Sequence, residues 1–189
     1  MIRKYFENLT PFNLNRFLFK KLMSFNGLKN VVLILKKADF KNKDFEDLED
    51  CKVFNSIKEL SNYSYPKRLT LNLVNYFNNG SILITITKED RIIAYSWLSK
   101  NFDPNGDLNQ IVNEDYCVLG SVFVVKAQRG KRLSRKMISY ASDYVQKNEE
   151  YPIFATISFD NIPSIKSFVK EGFHLSNVII KIKNDTIVL

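Results

Sequence analysis

Apolar runs and helically spaced stripes divide the chain into short strands and amphipathic helices. Residues 117–125, CVLGSVFVV, are dominated by β-branched and apolar side chains and read as a central strand. After a short basic turn, Leu133, Met137, Tyr140, Ala141 and Tyr144 share one helical face. Residues 81–87 and 91–99 read as the arms of a hairpin around Lys88-Glu89-Asp90-Arg91. Further strands are expected at 31–35, 51–54, 152–158, 173–182 and 186–189, the last after a turn at Asn184-Asp185. Ser56 with Glu59 makes a capping box for one helix. Pro66 opens another, carrying Leu69, Leu73 and Phe77 until Asn78-Asn79-Gly80 stops it. Asp103-Pro104-Asn105-Gly106 reads as a turn. Asn161 starts a last helix that Gly172 ends.

The first fifty residues differ in character. Thr10-Pro11 reads as a helix start, and Leu14, Phe17, Leu18, Leu22 and Phe25 form a stripe interrupted by Lys21, with Gly27 as the stop. This basic helix either packs on the domain or makes a peripheral contact, through residues 11–25, with an anionic membrane or a partner. Residues 39–50 are an acidic, lysine-interleaved connector. The expected division is therefore an appendage over 1–50 (basic helix, strand and connector) and a main domain over 51–189. The succession of elements suits an α/β (α+β) architecture, a mixed, twisted sheet with helices on both faces.

Composition narrows the class. The 189 residues suffice for one domain with a full core, and 45% hydrophobic and 25% charged residues are those of a soluble globular protein. No apolar run approaches the roughly 18 residues a membrane span requires. Residues 1–25 lack the pattern of a secretory signal, and two cysteines suggest no disulfide framework. With one histidine there is no Cys/His cluster for zinc. The expectation is a cytoplasmic, metal-free protein, a monomer or homodimer. The net charge of +8 gives a basic surface that attracts polyanions. Nucleic acid is disfavoured as a partner because no aromatic RNA-binding platform is present.

The junction between the central strand and its helix carries the candidate chemistry. Gln128-Arg129-Gly130-Lys131-Arg132-Leu133-Ser134 is a glycine-containing turn feeding a helix N-terminus. Free backbone N–H groups converge there, the helix dipole favours negative charge, and Arg129, Lys131, Arg132 and Arg135 add field. Such a turn suits a phosphate or pyrophosphate.

The same stretch resembles the acyl-CoA-binding motif of the GCN5-related N-acetyltransferase (GNAT) superfamily, Val-x-x-x-x-(Gln/Arg)-x-x-Gly-x-(Gly/Ala). Val124 and Arg129 match, and Gly130 follows the common Arg-Gly form. Arg132 stands where the central glycine is usual and Ser134 where glycine or alanine is usual. A loop needing positive φ at 132 would strain an arginine by roughly 1 kcal/mol. A second stretch, Asn161 to Phe173, is similar to the superfamily signature Asn-x-x-(Ala/Ser)-x-x-x-Tyr-x-x-x-Gly-Phe through Asn161, Ser164, Gly172 and Phe173. The resemblance implies a mostly antiparallel GNAT-like sheet with a V-shaped splay between strands 117–125 and 153–158, and an acyl-CoA N-acyltransferase domain over 51–189.

It also implies acetyl-CoA as co-substrate and an amine as acceptor. Backbone groups of Val122 and Val124 would pair with the pantetheine arm. The turn Arg129, Gly130, Lys131, Arg132, Leu133 and Ser134 would hold the pyrophosphate. Asn161, Ser164 and Phe168 would line the cofactor. Phe168 stands where relatives often carry a tyrosine that protonates the leaving thiolate, so no catalytic acid is identified. Ser164, Tyr116 and Glu114 are candidates for proton transfer, with Ser167, Asp115, Tyr95 and His174 as further titratable or hydroxyl groups nearby in sequence. Two readings stand beside acetyl transfer to a small amine, possibly on a nucleotide-linked amino sugar: transfer to a peptide or protein amine, and acyl-CoA binding without catalysis.

Overall fold

The computed structural model describes residues 28–37, 50–148, 151–182 and 185–188. The helix expected over 11–25, and all but the last residue of the connector over 39–50, lie outside them. The described strands are β1 (Leu28–Lys37), β2 (Cys51–Phe54), β3 (Ile82–Lys88), β4 (Arg91–Lys100), β5 (Cys117–Val124), β6 (Ile153–Ser158), β7 (His174–Ile182) and β8 (Asp185–Val188). The described α-helices are α1 (Lys67–Thr70), α2 (Leu73–Asn78), α3 (Leu133–Asn148) and α4 (Ile162–Lys170). All eight strands form one mixed sheet in the order β2-β3-β4-β5-β6-β1-β7-β8. Its pairings are antiparallel except for β5 with β6.

Local sequence explains most elements. Glu89 and Asp90 both take left-handed φ, +50° and +55°, the geometry of a tight two-residue hairpin turn that matches strand twist. Asp103 closes its turn by accepting from the Asn105 and Leu108 N–H groups, at 3.1 and 3.0 Å. Gly80 and Gly172 adopt φ of +71° and +89° after α2 and α4, as helix-terminating residues do.

Three expectations are corrected. The helix opened by Pro66 is broken in two at Leu71 and Asn72, where Asn72 leaves the helical region at φ −133°. The Ser56 capping box precedes only a single 3₁₀ turn, Lys58–Leu60. Its Glu59 carboxylate nonetheless accepts from the Asn55 N–H and the Ser56 hydroxyl. The deepest face of α3 is Met137, Ile138, Ala141, Ser142 and Val145, while Tyr140 and Tyr144 sit at its half-buried margin. A helix lying flat on a sheet buries both sides of its stripe, so the true face is rotated by about one residue from the expected one.

Helices cover both faces. On one, α3 and α4 pack Ile138, Ala141, Val145, Ile165 and Phe168 against Leu33, Leu35, Leu119, Ala155 and Val178. On the other, α1 and α2 place Leu69, Leu73 and Tyr76 over Leu83, Ile92, Tyr95 and Trp97. The rest of that face is closed by Leu108, which lies over Ile34, Val118, Phe154 and Ile179. The strand β1, from the segment before the connector, lies inside the sheet between β6 and β7. Among the described residues no helix is long and apolar enough to cross a membrane.

Candidate active site

The site arises where the sheet opens. β5 and β6 pair through only Cys117↔Ile153 and Val118↔Phe154. Beyond those two pairs the strands part, although β5 runs on to Val124 and β6 to Ser158. The edge of β5 that faces β6 therefore has no strand partner past Val118 among the described residues. Its N–H and C=O groups open onto a cleft of about 650 Å³. Residues 118–124 of β5 form one wall, and Thr156, Ile157 and Ser158 of β6 form another. This is the V-shaped splay expected between strands 117–125 and 153–158.

Two devices shape the β5 wall. The β4–β5 register slips between Tyr95 and Trp97, and Ser121 takes a left-handed φ of +51°. A residue extra to the ladder bends the strand there. The Ser96 hydroxyl donates to the Gly120 carbonyl at 2.9 Å and holds the bend.

The turn after β5 leads to the N-terminus of α3. Gly130 has φ +82° and Arg132 has φ +61°. Arg132 thus occupies the left-handed conformation in which an L side chain costs about 1 kcal/mol. Arg129 donates from Nε to the Val124 carbonyl at 3.2 Å, anchoring the turn to the strand while its side chain stays exposed. Arg129, Gly130, Arg132, Leu133 and Ser134 all line the cleft. Lys131 is exposed, donates to Gln128 at 2.8 Å, and is not in the lining. Arg135 points elsewhere and pairs with the buried Glu171 at 2.7 Å, tying the start of α3 to the end of α4. The first-turn N–H groups of α3 have no partner within the helix, so the turn is suited to an anion.

The α4 side of the cleft carries Asn161, Ser164, Ser167 and Phe168. Asn161 caps α4, its Oδ1 accepting from the Ser164 N–H. The Ser167 hydroxyl lies 3.3 Å from that of Ser134, a second tie between α3 and α4. Phe168 is buried edge-on against Phe173, with ring centres 4.9 Å apart. Of the expected cofactor residues, the cleft gathers Val122, Val124, Arg129, Gly130, Arg132, Leu133, Ser134, Asn161, Ser164 and Phe168.

The catalytic candidates divide. Ser164 is in the cleft. Tyr116 lies in the cluster under Leu108, with its hydroxyl donating to Asn109 at 2.8 Å. Burial pushes its phenol above the ordinary range, and Asp103 adds to this. Glu114 is exposed and pairs with Lys36 at 3.4 Å. Asp115 accepts from Asn101, and His174 is exposed on β7. Tyr95 is buried and stacked on Phe123.

The remaining wall was not anticipated from the sequence. Arg68, Tyr76, Asp103 and Ser121 also line the cleft. Arg68 is exposed at the rim, with its guanidinium 5.7 Å from the centre of the Phe123 ring. Tyr76 is buried, stacked on Trp97 at 4.5 Å and nearly parallel to it. Its hydroxyl stands 3.4 Å from Ser121 Oγ. Burial pushes the Tyr76 phenol up, the Ser121 contact opposes this, and the Asp103 charge adds to the rise. One signal for Tyr76 was present. It falls seven positions after Leu69 and three after Leu73, so a hydroxyl ends an apolar stripe. Among the described residues no group of three or more His, Cys, Asp or Glu is placed to hold a metal ion.

Comparison with known proteins bears on this geometry. A family model described as "Acetyltransferase (GNAT) family" matches residues 45–173. No curated protein matches the sequence. Among solved structures, an acetyltransferase from the GNAT family of Colwellia psychrerythraea superposes with a TM-score of 0.56 at 15% identity, over 88% of this chain and 62% of that one. A tandem GNAT protein from the clavulanic acid biosynthesis pathway gives 0.55 at 13% identity, over 91% and 57%. A GCN5-related N-acetyltransferase from Sphaerobacter thermophilus gives 0.52 at 11%, over 86% and 54%. These likenesses establish a shared fold, and the chain spans under two thirds of the length of each.

Proposed function

We infer that this chain, which belongs to the GNAT acetyltransferase family, moves an acetyl group from acetyl-CoA to the primary amine of a small-molecule acceptor. The observation that carries this reading is the abrupt end of β5–β6 pairing, which leaves a strand edge leading directly into a cationic turn. An extended pantetheine arm adds to the free edge of β5 at Val122 and Val124 as an extra strand would. The pyrophosphate meets the N–H groups of the turn and the α3 N-terminus, with Arg129 and Arg132 beside it. The acetyl group then lies in the gap near Ser121, between the α4 wall and the wall formed by Tyr76 and Asp103. Holding thioester and amine together in this shaped cleft supplies the orientation that acyl transfer needs.

The acceptor side favours an amine that also carries an anionic group, such as a nucleotide-linked amino sugar. Arg68 supports this, as an exposed cation that lines the cleft beside Phe123. The net charge of +8 supports it as well. A cytoplasmic location belongs to the same reading.

The test is calorimetric titration of acetyl-CoA and of CoA at two salt concentrations, followed by a thiol-release screen over amines with and without anionic groups. Micromolar binding, weakened tenfold or more by Arg129→Glu, and thiol release with an anionic amine are the expected results. No binding to the wild-type protein sinks the proposal. Phe168, which has no hydroxyl at the position where a leaving-group acid is often found, favours a second reading, acyl-CoA binding without turnover. Tight binding with no thiol release from any amine selects that reading instead.

A further inference from the structure

Acyl transfer from a thioester leaves a thiolate, and its departure is assisted by a proton. On the α4 side of the cleft the aromatic group is Phe168, which has none to give. The hydroxyls of Ser134, Ser164 and Ser167 on that side are aliphatic and too weakly acidic for the task. One phenol lines the cleft among the described residues, and it comes from the opposite wall. Tyr76 reaches in from α2. Its ring is clamped between Trp97, stacked at 4.5 Å, and Phe102, edge-on at 6.0 Å, so the hydroxyl has a fixed direction. It points to Ser121 Oγ at 3.4 Å. Ser121 is the residue at the bend of β5, beyond the last β5–β6 pair, where the gap begins to widen.

We propose that Tyr76 is the proton donor to the departing sulfur and that Ser121 is the second member of a hydroxyl relay with it. The inference rests on the acetyl-transfer reading above. The neutral amine attacks the thioester carbonyl, a C–N bond forms, and the nitrogen of the tetrahedral intermediate carries a positive charge. As the C–S bond breaks, its electron pair leaves on sulfur and the Tyr76 phenolic proton passes to that sulfur, giving the free thiol. The Tyr76 oxygen regains a proton from the nitrogen through the Ser121 hydroxyl. One proton leaves nitrogen and one arrives at sulfur, so no external acid or base is consumed. Burial and the nearby Asp103 charge keep the phenol protonated at neutral pH, which suits a donor and not a base. Tyr95 and Tyr116 do not compete for the role, because neither lines the cleft and the Tyr116 hydroxyl is engaged by Asn109.

Tyr76→Phe removes the hydroxyl and keeps the stacked ring, so the fold is preserved. The experiment compares wild type, Tyr76→Phe and Ser121→Ala for thiol release from acetyl-CoA with the best amine of the screen. Acetyl-CoA affinity by calorimetry and melting temperature are measured alongside. The expected result is a kcat lowered about 100-fold in Tyr76→Phe and about tenfold in Ser121→Ala, with acetyl-CoA affinity within about twofold of wild type. Equal turnover by wild type and Tyr76→Phe overturns the assignment while leaving the acetyl-transfer reading intact. So does a rate loss matched by an equal loss of acetyl-CoA affinity, which marks Tyr76 as a structural support of the β5 bend. A wild-type protein that releases no thiol with any amine overturns the acetyl-transfer reading itself.

Discussion

β2, β3, β4 and β5 follow one another in the chain and lie side by side in that order. β6, β1, β7 and β8 make the other half of the sheet, and there β1 inserts between two strands that follow it far along the chain. Leu33 pairs with Ile157 on one side and Val178 on the other. The first half is built from neighbours and forms at small loop-closure cost, while the second is completed only by a long-range pairing. The two halves touch through two residue pairs at the closed end of the V. The loop that follows β4 bridges them there. Leu108 packs across both, and the buried Asp107 carboxylate pairs with Lys181 of β7 at 2.6 Å. The opening between the halves is thus a consequence of how they are joined. The cleft needs two stiff walls that meet at one end, and the core under α3 and α4 is shared by both halves.

This contrast can be broken most directly at β1. Ile34→Ala removes a fully buried side chain shared by both neighbours of β1, and should cost about 2–5 kcal/mol. Val53→Ala in β2, an edge strand where the side chain is half-buried, should cost about 1 kcal/mol. Chemical denaturation measures both, and equal losses would show that β1 is no more critical than an edge strand.

The next effect lies on α3 and α4, which contribute to the cleft lining. Arg135→Ala removes a charge-assisted hydrogen bond to the buried Glu171 carboxylate, and should cost about 2 kcal/mol. It should also weaken acetyl-CoA binding, because the start of α3 loses one of its two ties to α4. A destabilised variant with unchanged affinity would mean that the turn is held without the Arg135 pair, through the Arg129–Val124 and Ser134–Ser167 contacts.

A smaller change is expected at the turn itself. Arg132→Gly relieves the left-handed φ of +61° and should raise stability by about 0.5–1 kcal/mol while weakening acetyl-CoA binding through loss of a phosphate-side cation. A variant that gains affinity would show that strain at this position, and not charge, governs the turn.

The last effect is absent at neutral pH. Burial pushes the Cys51 thiol of β2 up to about 11 from an ordinary 9.0, and raises the phenols of Tyr95 in β4 and of Tyr76 in α2, which packs on that half of the sheet. Above pH 9 the unfolded chain loses these protons while the folded chain keeps them, so the folded state binds more protons. Stability is therefore complete below about pH 9 and falls as pH rises toward 11 and beyond. Denaturation curves at pH 8, 9.5 and 10.5 check the sign, and a flat profile contradicts it. Iodoacetamide should correspondingly leave Cys51 unmodified at pH 8 until the protein is unfolded.

Much of the scaffold was legible in the chain because its signals are local. The hairpin over 81–99 alternates around a turn whose two central residues tolerate left-handed backbone. The strand–turn–helix from Cys117 and the Asn161–Phe173 stretch each place their cap, glycine or apolar stripe within a few residues of the feature they specify. Most of the cleft lining belongs to those two segments, Arg129, Gly130, Ser134, Asn161 and Phe168 among it.

Other features had no local signal. The break of the Pro66 helix at Asn72 depends on packing Leu69 and Leu73 over a twisted sheet, which overrides the propensity of a continuous helix. The remaining cleft wall joins Arg68, Tyr76, Asp103 and Ser121 from three separate segments.

The sequence by itself determined most of the described strands and helices, the glycine-containing cationic turn and the family, because hydrophobic period, caps and turn residues act over a few positions. Only the tertiary structure decided that β1 threads between β6 and β7, that β5 and β6 part after two pairs, and that a phenol from α2 faces the gap. Those outcomes depend on which surfaces meet across long stretches of chain, and periodicity along the chain carries no record of that choice.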